Sequence, residues 1–324
     1  MRARIAGTGS YVPAKVLTNV DLERMVATSD DWIVERTGIR ERHVAGPGEA
    51  CSDLAVKAAE RALAAAGVRA ADLDMILLAT CTGDYLLPAT ACLIQHRLGA
   101  TRAAACDLSA ACCGFVYALS VADAYVKSGM RHVLIVGSEV MSAITDWTDR
   151  NTCILFGDGA GAAVISASES DRGILSTHLR SDGSLCDLIA VPGGGSRLPP
   201  SETVVAERMQ YIKMKGNETF KVAVRNLEEV ARETLAANNL QVEDLDLYVP
   251  HQANIRILKA VASRLGLPPE KVMLNLDRYG NTSAASIPIA LDEAVREGRI
   301  KEGSLVMLGA FGAGLTWASA LIRW

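Results

Sequence analysis

The sequence predicts an α/β protein built from two similar halves, and two observations carry that prediction. Short aliphatic or β-branched runs alternate with Ala-rich amphipathic segments, the pattern of strands layered against helices. An ordered series of internal matches then repeats at a spacing within a few residues of 170. LAAAGVRAADLD (63–74) matches LAANNLQVEDLD (235–246), HRLGA (96–100) matches SRLGL (263–267), and HVLIVGSE (132–139) matches SLVMLGAF (304–311). Chance similarity between Ala-rich helices accounts for one such match but not for several in order. The halves are therefore expected as residues 1–170 and 171–324, meeting near SASESDRGIL (166–175). Two copies of one α/β unit pack about a pseudo-twofold axis, so a site at their junction can draw residues from both.

Strands are expected at 75–79, 133–136, 162–165, 247–249, 305–308 and 318–322. Helices are expected at 53–66, 114–128, 220–238, 255–265 and 287–297. The segment VPGGGSRLPPSET (191–203) is the one long Gly/Pro/Ser-rich stretch and reads as a surface loop or flap.

Composition narrows the function classes. A 324-residue chain that is 50% hydrophobic and 22% charged has ordinary globular composition, with ample material for a core. Aromatics are scarce at 5% against 27 glycines, which favours closely packed backbone over large aromatic anchors. A net charge of −4 and the lack of any Lys/Arg run argue against a general nucleic-acid surface. No apolar run reaches membrane-spanning length. The eight cysteines form no C-x-x-C pair, and no His lies at zinc-ligand spacing from two of them, so no metal site is expected. The opening MRARIAGTGSYVP carries no apolar leader stretch. Free thiols in a soluble cytoplasmic protein are the expectation.

Three segments carry chemistry. In ACDLSAACCGFVYALSVADAYVKSG (105–129), a strand-like run gives way to small residues and then a long helix, with Cys112 at the turn. A helix start presents free N–H groups and partial positive charge, which stabilise a thiolate. On the local pattern alone, a nucleophile and a small buried hydrophobe fit Cys112 equally well. Cys113, one position further in, is expected to turn toward the core. In YVPHQANIRI (248–257), His251 sits just past a strand end, on the edge where open α/β sheets bind ligands, beside polar Gln252 and Asn254. In LDRYGNTSAASIPIAL (276–291), Asn281 follows Gly280 in a turn, and by the internal repeat it falls near the position of Cys112. Without the repeat it would be an ordinary turn or N-cap Asn. The glycine stretches FGDGAG (156–161) and FGAG (311–314) each lead into a strand rather than a helix, so neither is a phosphate loop. FGAG instead fits a tight turn that lets backbone amides approach a substrate carbonyl.

Taken together, SAACCGF around Cys112, PHQANIR around His251, YGNTSAAS around Asn281 and the closing GAFGAGLTW resemble the β-ketoacyl-acyl carrier protein synthase III family. TNVDLERMVATSDDWIVERTGIRERH (18–43) and FGDGAGAAV (156–164) extend the resemblance over nearly the whole chain. It implies a thiolase-like five-layer αβαβα fold of two duplicated halves, working as a homodimer, and the activity of the initiating condensing enzyme of type II fatty acid synthesis. Acyl-CoA and malonyl-acyl carrier protein are the implied substrates, with coenzyme A entering as a thioester substrate and no separate cofactor. Cys112 would be the nucleophile, with His251 and Asn281 binding the extender's thioester oxygen. The backbone N–H groups of Cys112 and Ala313 would form the acyl oxyanion hole, where Ala in place of Gly still supplies its amide. The coenzyme A groove would comprise Trp32 and Arg36 as an adenine-stacking pair, with Arg150, Gly216, Asn217, Phe220, Lys221, Asn254 and Arg256. Two positions depart from the family pattern: Cys113, where a small apolar residue is commoner, and Leu87 in DYLLPAT (84–90), where a Phe often reaches across the dimer to wall off the primer pocket.

A Cys-His-Asn set also fits a papain-like hydrolase, which the duplicated halves argue against. A condensing enzyme of secondary metabolism would use the same three residues. A non-catalytic assembly partner would not need all three intact.

Overall fold

The computed structural model describes residues 2–324. All five strands of the larger sheet come from residues 2–168, in the order Arg2–Tyr11, Asp158–Ser168, His132–Val140, Met75–Ala79, Ala104–Leu108. The four-stranded sheet is drawn from 173–323, in the order Leu247–Pro250, Leu305–Gly312, Thr316–Arg323, Gly173–Ser181. Every strand and helix expected from the sequence is present, most of them a residue or more longer than expected.

The two sheets repeat one pattern of pairing. Met75–Ala79 runs parallel to His132–Val140, as Leu247–Pro250 runs parallel to Leu305–Gly312. Each second strand then pairs antiparallel with its next neighbour. The fifth strand of the larger sheet pairs Ile76 with Ala105, and its counterpart shrinks to a single parallel bridge between Tyr248 and Val272. Met75–Ala79 (MILLA) is buried at every position, as expected of a parallel strand covered on both faces.

Burial defines the layers. The helices Gly114–Lys127 and Ser286–Arg296 share one apolar cluster with residues of both sheets, including Leu77, Ile135, Val249 and Leu308, so they form the central layer. Cys51–Ala66 and Thr90–Leu98 cover the outer face of the larger sheet. Gly216–Ala237 and Ile255–Leu265 cover the outer face of the smaller one. The result is the five-layer αβαβα stack.

Each central helix is preceded by a one-turn 3₁₀ segment, Ala111–Cys113 and Ser283–Ala285, and the two segments touch. Both begin on a non-glycine residue in the left-handed region, Ala111 at φ 45° and Ser283 at φ 49°. That conformation is disfavoured for residues with a Cβ and persists only where surrounding contacts impose it. The same strained turn therefore occurs in both halves, at the place where they meet. The close approach requires glycine at 137, where a Cβ would lie 2.3 Å from the Ala284 carbonyl oxygen. Gly137→Ala is expected to lower stability by about 1–3 kcal/mol through overpacking against backbone that cannot yield. Urea unfolding of the purified variant measures it, and an unchanged midpoint would show that the two turns have room to separate.

Candidate active site

The strand Leu247–Pro250 ends at a proline, and His251 follows it, tied by its backbone N–H to the Gly309 carbonyl at 2.8 Å. The His251 side chain is 5% exposed. Its Nδ1 lies 2.6 Å from Ser286 Oγ, which also accepts the Gln252 backbone N–H at 3.3 Å. That hydroxyl has its own hydrogen to donate to Nδ1, and the tautomer assigned on this basis carries the ring proton on Nε2. Burial pushes the imidazole down to about 4, so it is a neutral hydrogen-bond donor. Gln252 is scaffold: its amide donates to the Pro250 and Met273 carbonyls and accepts from Asn275 N–H.

Asn281 is held by backbone. Its N–H donates to Leu155 O at 2.8 Å, and its carbonyl accepts from Gly157 N–H at 3.1 Å. Its side-chain oxygen accepts from Ser283 N–H at 2.9 Å, which leaves the amide NH₂ as the free end. Asn281 does not orient His251; Ser286 does. This differs from a hydrolase triad, in which the third residue positions the base.

Cys112 sits inside the 3₁₀ turn, two residues before the first residue of Gly114–Lys127, and contacts the cavity while surrounded by protein. The expected helix-start stabilisation of its thiolate is overridden. Burial pushes the thiol up to about 11; the Ser283 hydroxyl draws it down and the Glu139 carboxylate raises it further. At rest Cys112 is a thiol. Cys113 behaves as expected: it is fully buried, and its thiol donates to the Thr316 carbonyl at 3.3 Å. Ala313 lines the cavity, and its carbonyl accepts from Thr316 Oγ1 at 3.2 Å. A Cβ on Gly312 would come within 2.8 Å of Cys112 N, so the closing glycine turn lies against the Cys112 amide.

One cavity of about 1330 Å³ is lined by Cys112, His251, Asn281 and Ala313 at its inner end. Trp32, Arg36, Gly216, Asn217, Phe220, Lys221, Asn254 and Arg256 line it as well. Two expected site residues lie elsewhere. Arg150 is off the cavity wall, yet its guanidinium stacks 4.0 Å from the Trp32 ring, with Arg36 at 4.5 Å from the same ring. Leu87 is 81% exposed on a loop with exposed Tyr85 and Leu86, and it does not line this chain's own cavity. Asn254 is doubly engaged: its oxygen caps the helix Ile255–Leu265 at Arg256 N–H, and its NH₂ donates to the Arg36 carbonyl. It therefore fixes the relative placement of two groove segments. Val191 and the neighbouring Ala190 line the cavity too, which places the expected flap beside it. FGDGAG leads into the strand Asp158–Ser168, as expected of a stretch that is not a phosphate loop.

Sequence reasoning missed Ser283, Ser286, Cys81 and Glu139. The first two are the serines of the TSAAS run, where only smallness is evident in sequence. Cys81 lines the cavity, and the fully buried Glu139 accepts from Cys81 N–H at 3.1 Å and Thr80 Oγ1 at 3.2 Å. Only the fold brings the latter pair beside Cys112.

Two family models match the chain: 3-oxoacyl-[acyl-carrier-protein] synthase III over residues 106–183, and the C-terminal model of the same name over 235–324. A beta-ketoacyl-[acyl-carrier-protein] synthase III of Caldanaerobacter subterraneus is 53% identical over 323 residues, covering 99% of this chain and 98% of that protein. The chain belongs to the beta-ketoacyl-[acyl-carrier-protein] synthase III family. The solved 3-oxoacyl-[acyl-carrier-protein] synthase III of Aquifex aeolicus superposes with a TM-score of 0.93 at 48% identity, covering 99% of this chain and all of the other. The priming beta-ketosynthase of the R1128 polyketide pathway superposes at 0.92 with 38% identity, over 99% and 96% of the two chains. These likenesses fix the thiolase-like fold of this synthase III.

Two outcomes follow from the site geometry. Acyl-CoA should add one acyl mass to the intact protein, located at Cys112 by peptide mapping; Cys113→Ala should still be labelled, and labelling of Cys112→Ala would contradict the assignment. Because His251 stays neutral between about pH 5 and 8, malonyl thioester decarboxylation should show no inflection near 6.5, the ordinary histidine value. Loss of rate on acidification through that value would mean the ring titrates in solution.

Proposed function

We propose that this condensing enzyme divides its two half-reactions between different residues: Cys112 carries the acyl group, while His251 and Asn281 stabilise the enolate of the extender. As a synthase III, the protein is an acyltransferase that initiates type II fatty acid synthesis. An acyl-CoA primer condenses with malonyl-acyl carrier protein, giving 3-oxoacyl-acyl carrier protein, coenzyme A and carbon dioxide. The observation that carries the division of labour is the orientation of the two free donors. His251 Nε2–H is released by Ser286 holding Nδ1, and the Asn281 NH₂ is released by Ser283 holding the oxygen.

In the first step, the Cys112 sulfur attacks the acyl carbonyl carbon and the carbon–sulfur bond to coenzyme A breaks. A thiol is consumed and a thiol is formed, so the proton can pass from Cys112 to the departing sulfur with no net base. This suits a nucleophile that rests protonated. The carbonyl oxygen gains negative charge, and the backbone N–H groups of Cys112 and Ala313 are proposed to receive it, supported by the closeness of the Gly312 turn to Cys112 N. In the second step, the malonyl carboxylate leaves as carbon dioxide and its electron pair passes into the thioester as an enolate. The enolate carbon attacks the acyl-enzyme, forming the new carbon–carbon bond and releasing the Cys112 thiolate, which regains a proton. Two neutral donors stabilise the enolate oxygen without first having to lose a charge of their own. The electron pair comes from decarboxylation, so this reading calls for no cofactor.

Trp32, Arg36 and the groove of Gly216, Asn217, Phe220, Lys221, Asn254 and Arg256 are proposed to hold coenzyme A, supported by their shared lining of the cavity that ends at Cys112. Arg150 joins them through its stacking on Trp32. Exposed Lys221, Arg256 and Lys259 are proposed as a docking patch for the acidic carrier protein, compatible with a net charge of −4 because the patch is local. Halves at 1–170 and 171–324 are supported by the confinement of each sheet's strands to one of them. A homodimer is proposed in which Leu87 serves the partner's primer pocket, supported by its exposure and its distance from this chain's own cavity. Among the described residues no helix is long and apolar enough to cross a membrane, which accords with the proposed cytoplasmic location.

The test is separation of the half-reactions. Cys112→Ala should lose acyl transfer yet still decarboxylate malonyl thioester. His251→Ala and Asn281→Ala should still form the acyl-enzyme, read by intact mass, while decarboxylation falls by roughly 10²–10³ for each lost donor. Failure of His251→Ala to form acyl-enzyme at neutral pH would make His251 the base that activates the thiol instead.

A further inference from the structure

Arg42, in the short strand Glu41–Val44, is fully buried and is the largest such side chain in the molecule. Among the described residues it makes no ion pair with a carboxylate. Its guanidinium donates only to neutral oxygens: Leu17 O at 3.3 Å, Asn19 Oδ1 at 2.8 Å and Ile154 O at 2.7 Å. Taking a cation out of water without a counter-ion is costly and requires good geometry to persist. Burial draws this guanidinium down to about 10, still cationic at neutral pH.

The location gives this cation a task. Ile154 immediately precedes the segment Leu155–Gly157, and that segment grips both sides of the Asn281 backbone. Leu155 O accepts from Asn281 N–H, Gly157 N–H donates to Asn281 O, and Phe156 forms a parallel bridge with Asn281. The stem of Arg42 lies beneath the same junction. A Cβ placed on Gly157 or Gly280 would come within 3.0 and 3.3 Å of Arg42 Cβ. The same stretch of chain also bolts Arg40 N–H to the Asp277 carbonyl at 2.9 Å, just upstream of Asn281. No catalytic group touches Arg42, and nothing about it marks a substrate contact.

We propose that Arg42 is a positioning residue for Asn281: its head fixes the 154–157 segment, its stem supports the glycines on either side, and Asn281 is thereby held at the enolate oxygen. The inference rests on the reading of Asn281 as an enolate donor. A fork that serves three separate carbonyl-type oxygens is a task for guanidinium, and a lysine in its place keeps the charge but not the directions. Small displacements of a donor are expensive in rate, while the acylation half-reaction uses backbone amides elsewhere and does not depend on Asn281.

Arg42→Lys, Asn19→Ala and Asn281→Ala are compared with wild type for decarboxylation of a malonyl thioester and for acylation of Cys112 by intact mass, with thermal melting to confirm folding. Asn281→Ala sets the loss expected when the donor is gone. Arg42→Lys should decarboxylate about 100-fold more slowly and keep its acylation rate. Asn19→Ala, which removes one anchor and leaves Arg42 in place, should show the same split at smaller size. Equal losses in both half-reactions of a folded Arg42→Lys, or no loss in either, would overturn the assignment. If Arg42→Lys does not fold, Asn19→Ala decides, and the absence of a split there overturns it. Decarboxylation that survives in Asn281→Ala would overturn the enolate role of Asn281 and this inference with it. A loss in Asn281→Ala without one in Arg42→Lys overturns this inference alone.

Discussion

The contact between the turns Ala111–Cys113 and Ser283–Ala285 sets the geometry of everything around it. Each turn starts in a left-handed residue that is not glycine, and each feeds a helix buried between the two sheets. The strain persists because the layers on either side leave the chain no alternative. Gly137 permits one approach from the larger sheet and Gly312 permits another from the smaller. The outcome is that Cys112 from one half and Asn281 from the other face a single cavity, although 168 intervening residues separate them.

Burial then decides what those groups can be. An uncharged thiol and an uncharged imidazole are the low-energy forms where protein encloses the groups, and both shifts run in the direction desolvation imposes. A site of neutral donors suits a reaction whose charge appears only in transit, first on an acyl oxygen and then on an enolate. The polar groups that aim those donors are equally buried. Ser286, Ser283 and the Arg42 fork each use up one end of a side chain or backbone segment and leave the other end free for substrate. In this arrangement the proposed catalytic residues are the last links of hydrogen-bonded chains that run back into the scaffold.

The outer part of the cavity follows different physics. Trp32 has the guanidinium groups of Arg36 and Arg150 at 4.5 and 4.0 Å from its ring, and Lys221 and Arg256 remain exposed to solvent. Selectivity for a coenzyme A thioester would arise there from shape and stacking. Met141, Ile144, Ile189 and Ile212 add apolar wall to the same cavity and belong to the cluster that packs against Trp32.

The sequence by itself determined the α/β class and the strands and helices, and it proposed the duplicated halves and the three residues that share the cavity, because these depend on local periodicity and on motifs that stand together in the chain. Cys112 could be placed at a helix start and His251 at a strand end from neighbouring residues alone. The protonation of Cys112 could not, since it depends on Glu139 and on enclosure by segments distant in the chain. Nor could the parts of Ser286, Ser283 and Arg42, whose significance lies in what they touch rather than in what precedes them. Arg42 is the clearest case: within GIRERH it is one charged residue among three, and only the packed fold turns it into a buried fork beneath Asn281. Charge in a sequence is counted residue by residue, whereas its free energy depends on how much water the tertiary structure removes.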